Sequence, residues 1–261
     1  MSNRLAAGAA HRNVLHLVGD GLAGGGTTIV LQLARGLAER GMSVTVGSQN
    51  GSYILDQVAN QGLPVLPLDF TSRRNTVQVT RALRSYLRAH PGTAVHAHGA
   101  RAGLPASLLM GASHAGLFYT VHGFHYGNKP AGLRHLAMAA ERFCISRANV
   151  TVFVSQHDAD LAAKARLLPR GAVTRVIHNG AALVPPAPQA RTFDIAFLGR
   201  LHAQKNPSIL PDILKALRPA RPSLCIIGSG DFEPALRSQI VTAQVGDGEW
   251  RPGQLRAKDD R

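Results

Sequence analysis

The fold is decided by residues 13–40, which read NVLHLVGDGLAGGGTTIVLQLARGLAER. A short apolar run at 14–18 leads into a glycine-rich turn, and the turn leads into residues 27–40. Five apolar residues of this last segment recur at helical spacing: Val30, Leu31, Ala34, Leu37 and Ala38. Gly41 then ends the helix. The stretch predicts a strand, a turn and a helix, which is the repeating unit of open α/β sheets.

The same alternation continues along the first two thirds of the chain. Strands are predicted at 14–18, 43–47, 63–68, 94–97, 116–121, 149–154 and 174–177. Helices are predicted at 27–40, 53–61, 75–90, 101–113, 132–147 and 156–166. The strand segments are continuously apolar, as in parallel sheets that helices cover on both faces. Residues 13–184 are therefore expected to form a complete Rossmann-like α/β domain.

A proline-rich segment separates this domain from the C-terminal third of the chain. Residues 184–189 read VPPAPQ, which resists both helix and sheet and predicts a linker at 185–192. The strand–helix alternation then restarts and predicts a second, incomplete Rossmann-like domain at 193–240. Residues 241–261 show neither a strand nor a helix period, so we expect a disordered tail.

Composition excludes several classes of protein. The chain has 261 residues, of which 45% are hydrophobic, so it can bury a core. No apolar stretch approaches the roughly 20 residues of a membrane helix, and the N-terminus lacks the apolar segment of a signal peptide. Cys144 and Cys225 lie in apolar runs and are expected to be reduced core thiols of a cytoplasmic protein.

The net charge of +14 leaves three interpretations open. The 29 basic residues comprise 24 Arg and 5 Lys, spread along the chain, as a biased amino-acid usage without functional meaning would produce. The charge could also serve an anionic membrane surface, with the protein peripheral at its inner face. A nucleic-acid partner is the third interpretation, but no recognised binding module occurs and aromatic residues make up only 5%, so no specific nucleic acid is expected.

The glycine turn after the first strand is a candidate ligand site. Gly24, Gly25 and Gly26 stand where ligands bind in open α/β sheets, beyond the carboxyl ends of the strands. Glycines there let a phosphate or a sugar approach the backbone. The alternative is that they serve chain geometry alone. Counted from Gly19, the turn also fits G-x-G-x-x-G, but no acidic residue ends the second strand as a dinucleotide site would prefer.

Histidines cluster at the ends of the fourth and fifth strands. His96 and His98 end the fourth strand, and strand alternation places them on one face. His122 and His125 follow the fifth strand. The alternatives are a metal site, structural histidines, or a substrate pocket in which one or two rings form hydrogen bonds. No carboxylate or cysteine accompanies them, so a metal is not expected.

Basic residues and glycines follow the strands of the second domain. Arg200 and Lys205 come directly after the strand that ends at Gly199, and a helix is predicted to begin near Pro207. Two cations and a helix N-terminus suit a diphosphate. The alternative is a pair of solvated basic residues. The next strand ends in Gly228-Ser229-Gly230, which predicts a second backbone-lined turn.

These segments together resemble the family-4 retaining glycosyltransferases of the GT-B fold, from about residue 13 to about residue 240. The matching motifs, in chain order, are Gly24-Gly25-Gly26, Ala97-His98-Gly99, Thr120-Val121-His122-Gly123, Val154-Ser155, Val176-Ile177-His178-Asn179-Gly180, Gly199-Arg200-Leu201 with Lys205-Asn206-Pro207, and Ile227-Gly228-Ser229-Gly230. Each motif is short, and their order and spacing make the resemblance specific.

The resemblance implies transfer of a sugar from a nucleotide-diphospho-sugar to a saccharide, lipid or small-molecule acceptor. Arg200 and Lys205 would hold the donor diphosphate and stabilise the leaving group, without a metal or other cofactor. Gly24–Gly26 would line the place where donor and acceptor meet, and His122 would contact the transferred sugar. Asn179-Gly180 would lie at the cleft near the crossing between domains.

The sequence also departs from the family pattern. The family continues with a Glu-x7-Glu element, whose second glutamate binds the nucleotide ribose, whereas here Glu233 is followed only by Glu249. We therefore expect a chain truncated within its donor-binding domain and impaired in catalysis. The alternative is a non-catalytic fragment that binds a saccharide or an anionic membrane surface.

Overall fold

The computed structural model describes residues 12–109, 116–124, 130–181, 193–220, 222–242 and 249–251. The chain divides into two compact units, Met1–Ala182 and Leu183–Arg261. The predicted linker at 185–192 lies outside the described residues, as do His125 and the last four residues of the helix predicted at 101–113.

The first unit is a doubly wound sheet of seven parallel strands in the order β3-β2-β1-β4-β5-β6-β7. The strands are β1 (Asn13–Val18), β2 (Ser43–Gln49), β3 (Val65–Leu68), β4 (Ala94–His98), β5 (Leu117–Val121), β6 (Val150–Phe153) and β7 (Thr174–Val176). The helices are α1 (Gly25–Ala38), α2 (Tyr53–Asn60), α3 (Thr76–Ala89), α4 (Gly99–Leu109), α5 (Ala131–Arg147) and α6 (Gln156–Lys164). The predicted α/β class and parallel sheet are confirmed.

The two faces of the sheet bury two separate apolar cores. Leu15 and Leu17 of β1 belong to the larger core, which α3 and α4 cover with Leu83 and Ala106. Val18 belongs to the smaller core, under α1 and α2. Because side chains alternate along a strand, His16 lies on the face of Val18 rather than on that of its neighbours. A polar ring is thus enclosed at the centre of the sheet.

The second unit contains a three-stranded parallel sheet in the order β10-β9-β8. Its strands are β8 (Ile195–Leu198), β9 (Leu224–Ile227) and β10 (Glu249–Arg251), and its helices are α7 (Leu210–Ala216) and α8 (Glu233–Thr242). Its core is formed by Leu201, Leu210, Leu214, Leu224, Ile226 and Leu236.

The expectation of a disordered tail from residue 241 is wrong for the described part of that segment. Helix α8 continues to Thr242, and Glu249–Arg251 forms a strand whose Trp250 pairs with Ile226. A parallel pairing rests on backbone hydrogen bonds, and the free edge of β9 offers unpaired N–H and C=O groups to any extended segment. Three residues are too few to show a period in the sequence.

The helix predicted to start at Pro207 starts three residues later. Residues Pro207–Ile209 form a 3-10 turn, in which the Leu210 N–H donates to the Pro207 carbonyl. An α-helix would need the N–H of residue 211 to donate to that carbonyl, but Pro211 has no N–H. The α-helical pattern therefore begins only at Leu210.

Within the described residues, no helix has both the length and the apolar character that crossing a lipid bilayer needs.

Candidate functional site

The glycine turn after β1 opens helix α1. Gly24 stands at the N-cap with an extended backbone (φ 169°), and its carbonyl accepts the first helical hydrogen bond from the Thr28 N–H at 3.0 Å. Gly25 and Gly26 are the first two residues of the helix. Among the described residues, a methyl group at Gly24 or Gly25 would meet no atom within 4 Å, and one at Gly26 would meet only Cγ of His122, at 4.0 Å.

Gly21, in the same loop, shows the features of a glycine that the backbone geometry requires. Gly21 has a φ of 62°, and a Cβ there would lie 2.5 Å from the hydroxyl oxygens of Ser48 and Ser52. Neither strain nor crowding of this kind applies at residues 24–26. Chain geometry among the described residues therefore does not require these three glycines, and their contact with a ligand stays a prediction.

Three histidines form a hydrogen-bonded chain across three strands. His16 Nδ1 lies 3.1 Å from His98 Nε2, and His98 Nδ1 lies 3.0 Å from His122 Nε2. The topology explains the contact, since β4 lies between β1 and β5 in the sheet. His16 and His98 are buried and His122 is half-buried. Both ring nitrogens of His98 are engaged by the neighbouring imidazoles.

His96 packs beside these three histidines as the fourth ring of the cluster. It pairs in register with His16, and its ring centroid lies 4.2 Å from that of His98. Its Nε2 lies 2.8 Å from the hydroxyl oxygen of Thr120. The sequence indicated His96, His98 and His122 but not His16. The signal for His16 was one polar residue inside the apolar run 14–18, together with the adjacency of the first and fourth strands.

Burial keeps these rings neutral. It lowers the pKa of His16 to about 3, with a smaller contribution from repulsion by His96. Burial and then repulsion by His122 lower the pKa of His96 to about 4. The pKa of His98 falls well below its ordinary value for the same reasons, and burial lowers the pKa of His122. At neutral pH each ring therefore carries a single N–H.

Three of these rings could hold a metal ion. One ligand atom each from His16, His96 and His98 can be chosen so that all three lie within 4.8 Å of one another. Neutral imidazole is a common ligand of zinc, but the set contains no carboxylate or thiolate to offset the charge of the ion. That no metal is needed stays a prediction.

Asn179 and Gly180 follow β7 and are exposed. The segment is anchored by His178, whose Nδ1 lies 3.1 Å from the Val154 carbonyl oxygen. Strand β6 separates β7 from β5, so the pair lies at the same carboxyl edge of the sheet as His122 but two strands away.

A depression of about 410 Å³ lies at the ends of β2 and β3. Two of its polar side chains already have structural partners: the Gln49 side-chain oxygen accepts from the Phe70 N–H at 2.5 Å, and the Asp69 carboxylate accepts from Thr71 and Asn75. This end of β2 therefore does not form the acidic ribose site of a dinucleotide-binding fold.

In the second unit, the glycines after β8 and β9 allow two turns to lie close together. A Cβ at Gly228, whose φ is 153°, would overlap the carbonyl oxygen of Gly199. A Cβ at Gly230 would likewise overlap the carbonyl oxygen of Leu201. The Leu201 N–H donates to the Ser229 carbonyl at 2.9 Å. Gly228 and Gly230 are thus required by the packing of the two turns.

Arg200 and Lys205 present their cations around the first of these turns. Both side chains are exposed, and Lys205 ends the short 3-10 turn Ala203–Lys205. The Lys205 stem passes over Gly199, where a Cβ would lie 3.9 Å from Lys205 Cγ. The α-helix N-terminus expected beside them is replaced by the turn at Pro207, so the two cations are the features of this loop suited to an anion.

An open parallel sheet with a ligand-accessible edge, followed by a second α/β unit with a basic glycine turn, is the pattern of GT-B glycosyltransferases. The chain belongs to the glycosyl transferase 4-like family, whose model matches residues 24–180. The family expected from the sequence is thereby confirmed. No curated protein matches the chain.

Several solved glycosyltransferase structures are similar to this chain. HepE from Anabaena, solved in complex with UDP, has a TM-score of 0.74 and 17% identity over 93% of this chain and 70% of its own. Sucrose-phosphate synthase from Thermosynechococcus elongatus has a TM-score of 0.68 and 16% identity over 93% and 71%. TarM from S. aureus, in a complex containing UDP, has a TM-score of 0.68 and 9% identity over 93% and 77%. The GT-B fold expected from the sequence is confirmed by this likeness.

Proposed function

We propose that this chain transfers a sugar from a nucleotide-diphospho-sugar to a saccharide or lipid acceptor, with retention at the anomeric carbon. The observation that carries the proposal is the turn Gly24–Gly26, which is open, unstrained and adjacent to His122. Complexes of HepE with UDP and with UDP-glucose support a nucleotide-sugar donor. The expected location is the cytoplasm.

The second unit supplies the leaving-group chemistry in this proposal. Cleavage of the bond between sugar and phosphate leaves negative charge on the diphosphate. Arg200 and Lys205 are exposed cations on or beside one short turn, so both can approach a diphosphate bound there. Two cations near one turn would take the place of a divalent metal, so we propose that the reaction needs none. His122 contacts the sugar, and Asn179 and Gly180 line the same sheet edge.

The proposal is tested by donor turnover. Purified chain is incubated with a panel of UDP-, GDP- and ADP-sugars and mixed acceptors, with and without EDTA, and release of the nucleoside diphosphate is measured. Release that EDTA leaves unchanged supports the proposal, and NMR of the product decides its anomeric configuration. Absence of release with every donor contradicts glycosyl transfer. The impairment expected from the missing Glu-x7-Glu element predicts slow release, so robust turnover would contradict it.

A second candidate function is contact with an anionic membrane. Helix α5 begins with two exposed leucines, Leu133 and Leu136, beside the exposed Arg134. Apolar side chains interleaved with a cation suit the headgroup region of a bilayer. This surface would serve a lipid acceptor, or a non-catalytic binding role if turnover is absent.

Vesicle sedimentation tests the membrane candidate. The chain is expected to sediment with vesicles that contain phosphatidylglycerol at low salt, less so at high salt, and not with neutral vesicles. Leu133→Ser with Leu136→Ser should weaken binding, whereas Leu108→Ser, on the exposed side of α4, is the matched control. Equal binding of both variants would contradict a role for α5.

A further inference from the structure

The position of the proton on the His122 ring determines whether its free nitrogen donates a hydrogen bond to a ligand or accepts one from it. That position depends on the hydrogen bonds that join His16, His98 and His122. The ring centroids of His16 and His98 are 5.4 Å apart, and those of His98 and His122 are 5.2 Å apart. Nitrogens separated by only 3.1 and 3.0 Å within such pairs belong to rings joined edge to edge. Each junction is therefore an N–H···N hydrogen bond with one donor and one acceptor.

A chain of neutral imidazoles can run in only two directions. Each ring has one N–H and one lone pair, so the choice made at one junction fixes the other. In the first direction His16 donates to His98 and His98 donates to His122. In the second direction His122 donates to His98 and His98 donates to His16. The burial that keeps all three rings neutral makes these two arrangements the relevant ones.

The buried end of the chain decides between the two directions. His16 Nε2 is enclosed, and no described residue offers it a hydrogen bond. The first direction leaves a lone pair at this nitrogen, and the second leaves an N–H. In folded proteins, unpaired buried N–H groups are rarer than unpaired buried acceptors. The first direction is therefore the more stable one.

We propose that His16 and His98 are positioning residues that hold His122 as the tautomer with its proton on Nδ1. His98 Nδ1–H donates to His122 Nε2, so the remaining nitrogen of His122 must be a donor. No described residue accepts a hydrogen bond from that nitrogen, which leaves it for an oxygen of a ligand beside Gly26. His98 itself has no free nitrogen for a substrate. The role of the donor rests on the proposed function, and the tautomer does not.

The tautomer is read directly from the ring nitrogens. In chain labelled with ¹⁵N-histidine, long-range ¹H–¹⁵N spectra at pH 7.5 distinguish protonated from unprotonated ring nitrogens, and the His122→Gln variant identifies the signals of His122. A protonated Nδ1 with an unprotonated Nε2 is the expected result. A protonated Nε2 would overturn the proposal.

Two amide variants of His98 test the positioning role. The carboxamide of His98→Asn reaches the place of Nδ1, beside His122, whereas that of His98→Gln reaches the place of Nε2, beside His16. His98→Gln should move the His122 proton to Nε2, and His98→Asn should not. With equal unfolding free energies, kcat/KM of His98→Gln should be about tenfold below that of His98→Asn, as for one lost hydrogen bond. An unchanged His122 tautomer in His98→Gln would contradict the positioning role.

Failure of the proposed function gives a different result. If wild-type chain turns over no nucleotide-sugar while the spectra show His122 protonated on Nδ1, glycosyl transfer fails and the histidine arrangement stands. If turnover is observed and the spectra show Nε2 protonated, the arrangement fails and glycosyl transfer stands.

Discussion

Gly26 and His122 lie side by side at the carboxyl edge of the first sheet, with 4.0 Å between the place of a methyl group on Gly26 and Cγ of His122. One residue opens α1 and the other follows β5, and the sheet order brings them together. No other atom of the described residues lies within that distance of this methyl position. A small group added there would occupy the room that the proposed ligand needs.

Gly26→Ala should raise stability and lower turnover. The residue is helical, so alanine should increase the free energy of unfolding by about 0.5–1 kcal/mol. The added methyl group should exclude part of the sugar or acceptor and lower kcat/KM. Gly36→Ala, in the last turn of the same helix, is the matched control and should stabilise without loss of turnover. Urea unfolding and donor turnover measure the two effects. Equal turnover in both variants would contradict a place for Gly26 in the ligand site.

Arg200→Ala and Lys205→Ala should each weaken binding of UDP. Loss of one hydrogen bond to a charged group costs about 1.5–3 kcal/mol, or roughly tenfold to a hundredfold in Kd. Isothermal titration with UDP measures the change. Lys215→Ala removes an equal charge from α7 of the same unit, where Lys215 pairs with Asp212 at 3.3 Å, and should leave Kd unchanged. If Lys215→Ala weakens binding as much, general charge rather than a diphosphate site is responsible.

Stability should fall as the pH is lowered below 6.5. In the unfolded chain His16 binds a proton near its ordinary pKa of 6.5, whereas in the folded chain it stays neutral down to about 3. Its contribution is complete above pH 6.5 and is lost as pH falls toward 3. This ring alone should reduce the free energy of unfolding by about 2 kcal/mol between pH 8 and pH 5. Urea unfolding at both pH values should show a smaller difference for His16→Leu, and an undiminished difference would contradict the assignment.

Tyr119→Phe should destabilise the chain more than Glu141→Gln. The Tyr119 hydroxyl donates to the Glu141 carboxylate at 2.6 Å, and both side chains are buried. Phenylalanine leaves the carboxylate without this donor, at a cost of about 1–3 kcal/mol. Glutamine keeps an oxygen for the hydroxyl and removes a charge whose burial raises the pKa of Glu141. The free energies of unfolding of the two variants are compared at pH 7. A greater loss of stability in Glu141→Gln would show that the charge itself stabilises this pair.

Much of the fold could be predicted from the sequence because the strands of a doubly wound sheet are short, apolar and separated by helical periods. The stretch 13–40 alone indicated the strand, turn and helix that the structure places as β1 and α1. The sequence predictions were wrong where backbone hydrogen bonding determines where an element begins or whether it forms. Pro211 delays α7 by denying a donor to Pro207, and β10 pairs through its backbone without any side-chain period.

The sequence by itself determined the class of fold, the family and the residues near strand ends, because apolar periods and short motifs are local properties. Only the tertiary structure decided which of them act together. Gly228 and Gly230 proved necessary for packing between turns, whereas Gly24, Gly25 and Gly26 are free of any such need. His16 joined the candidate site because strand order sets β1 beside β4, a contact between residues 82 positions apart. Contacts of that range depend on topology, which no local pattern contains.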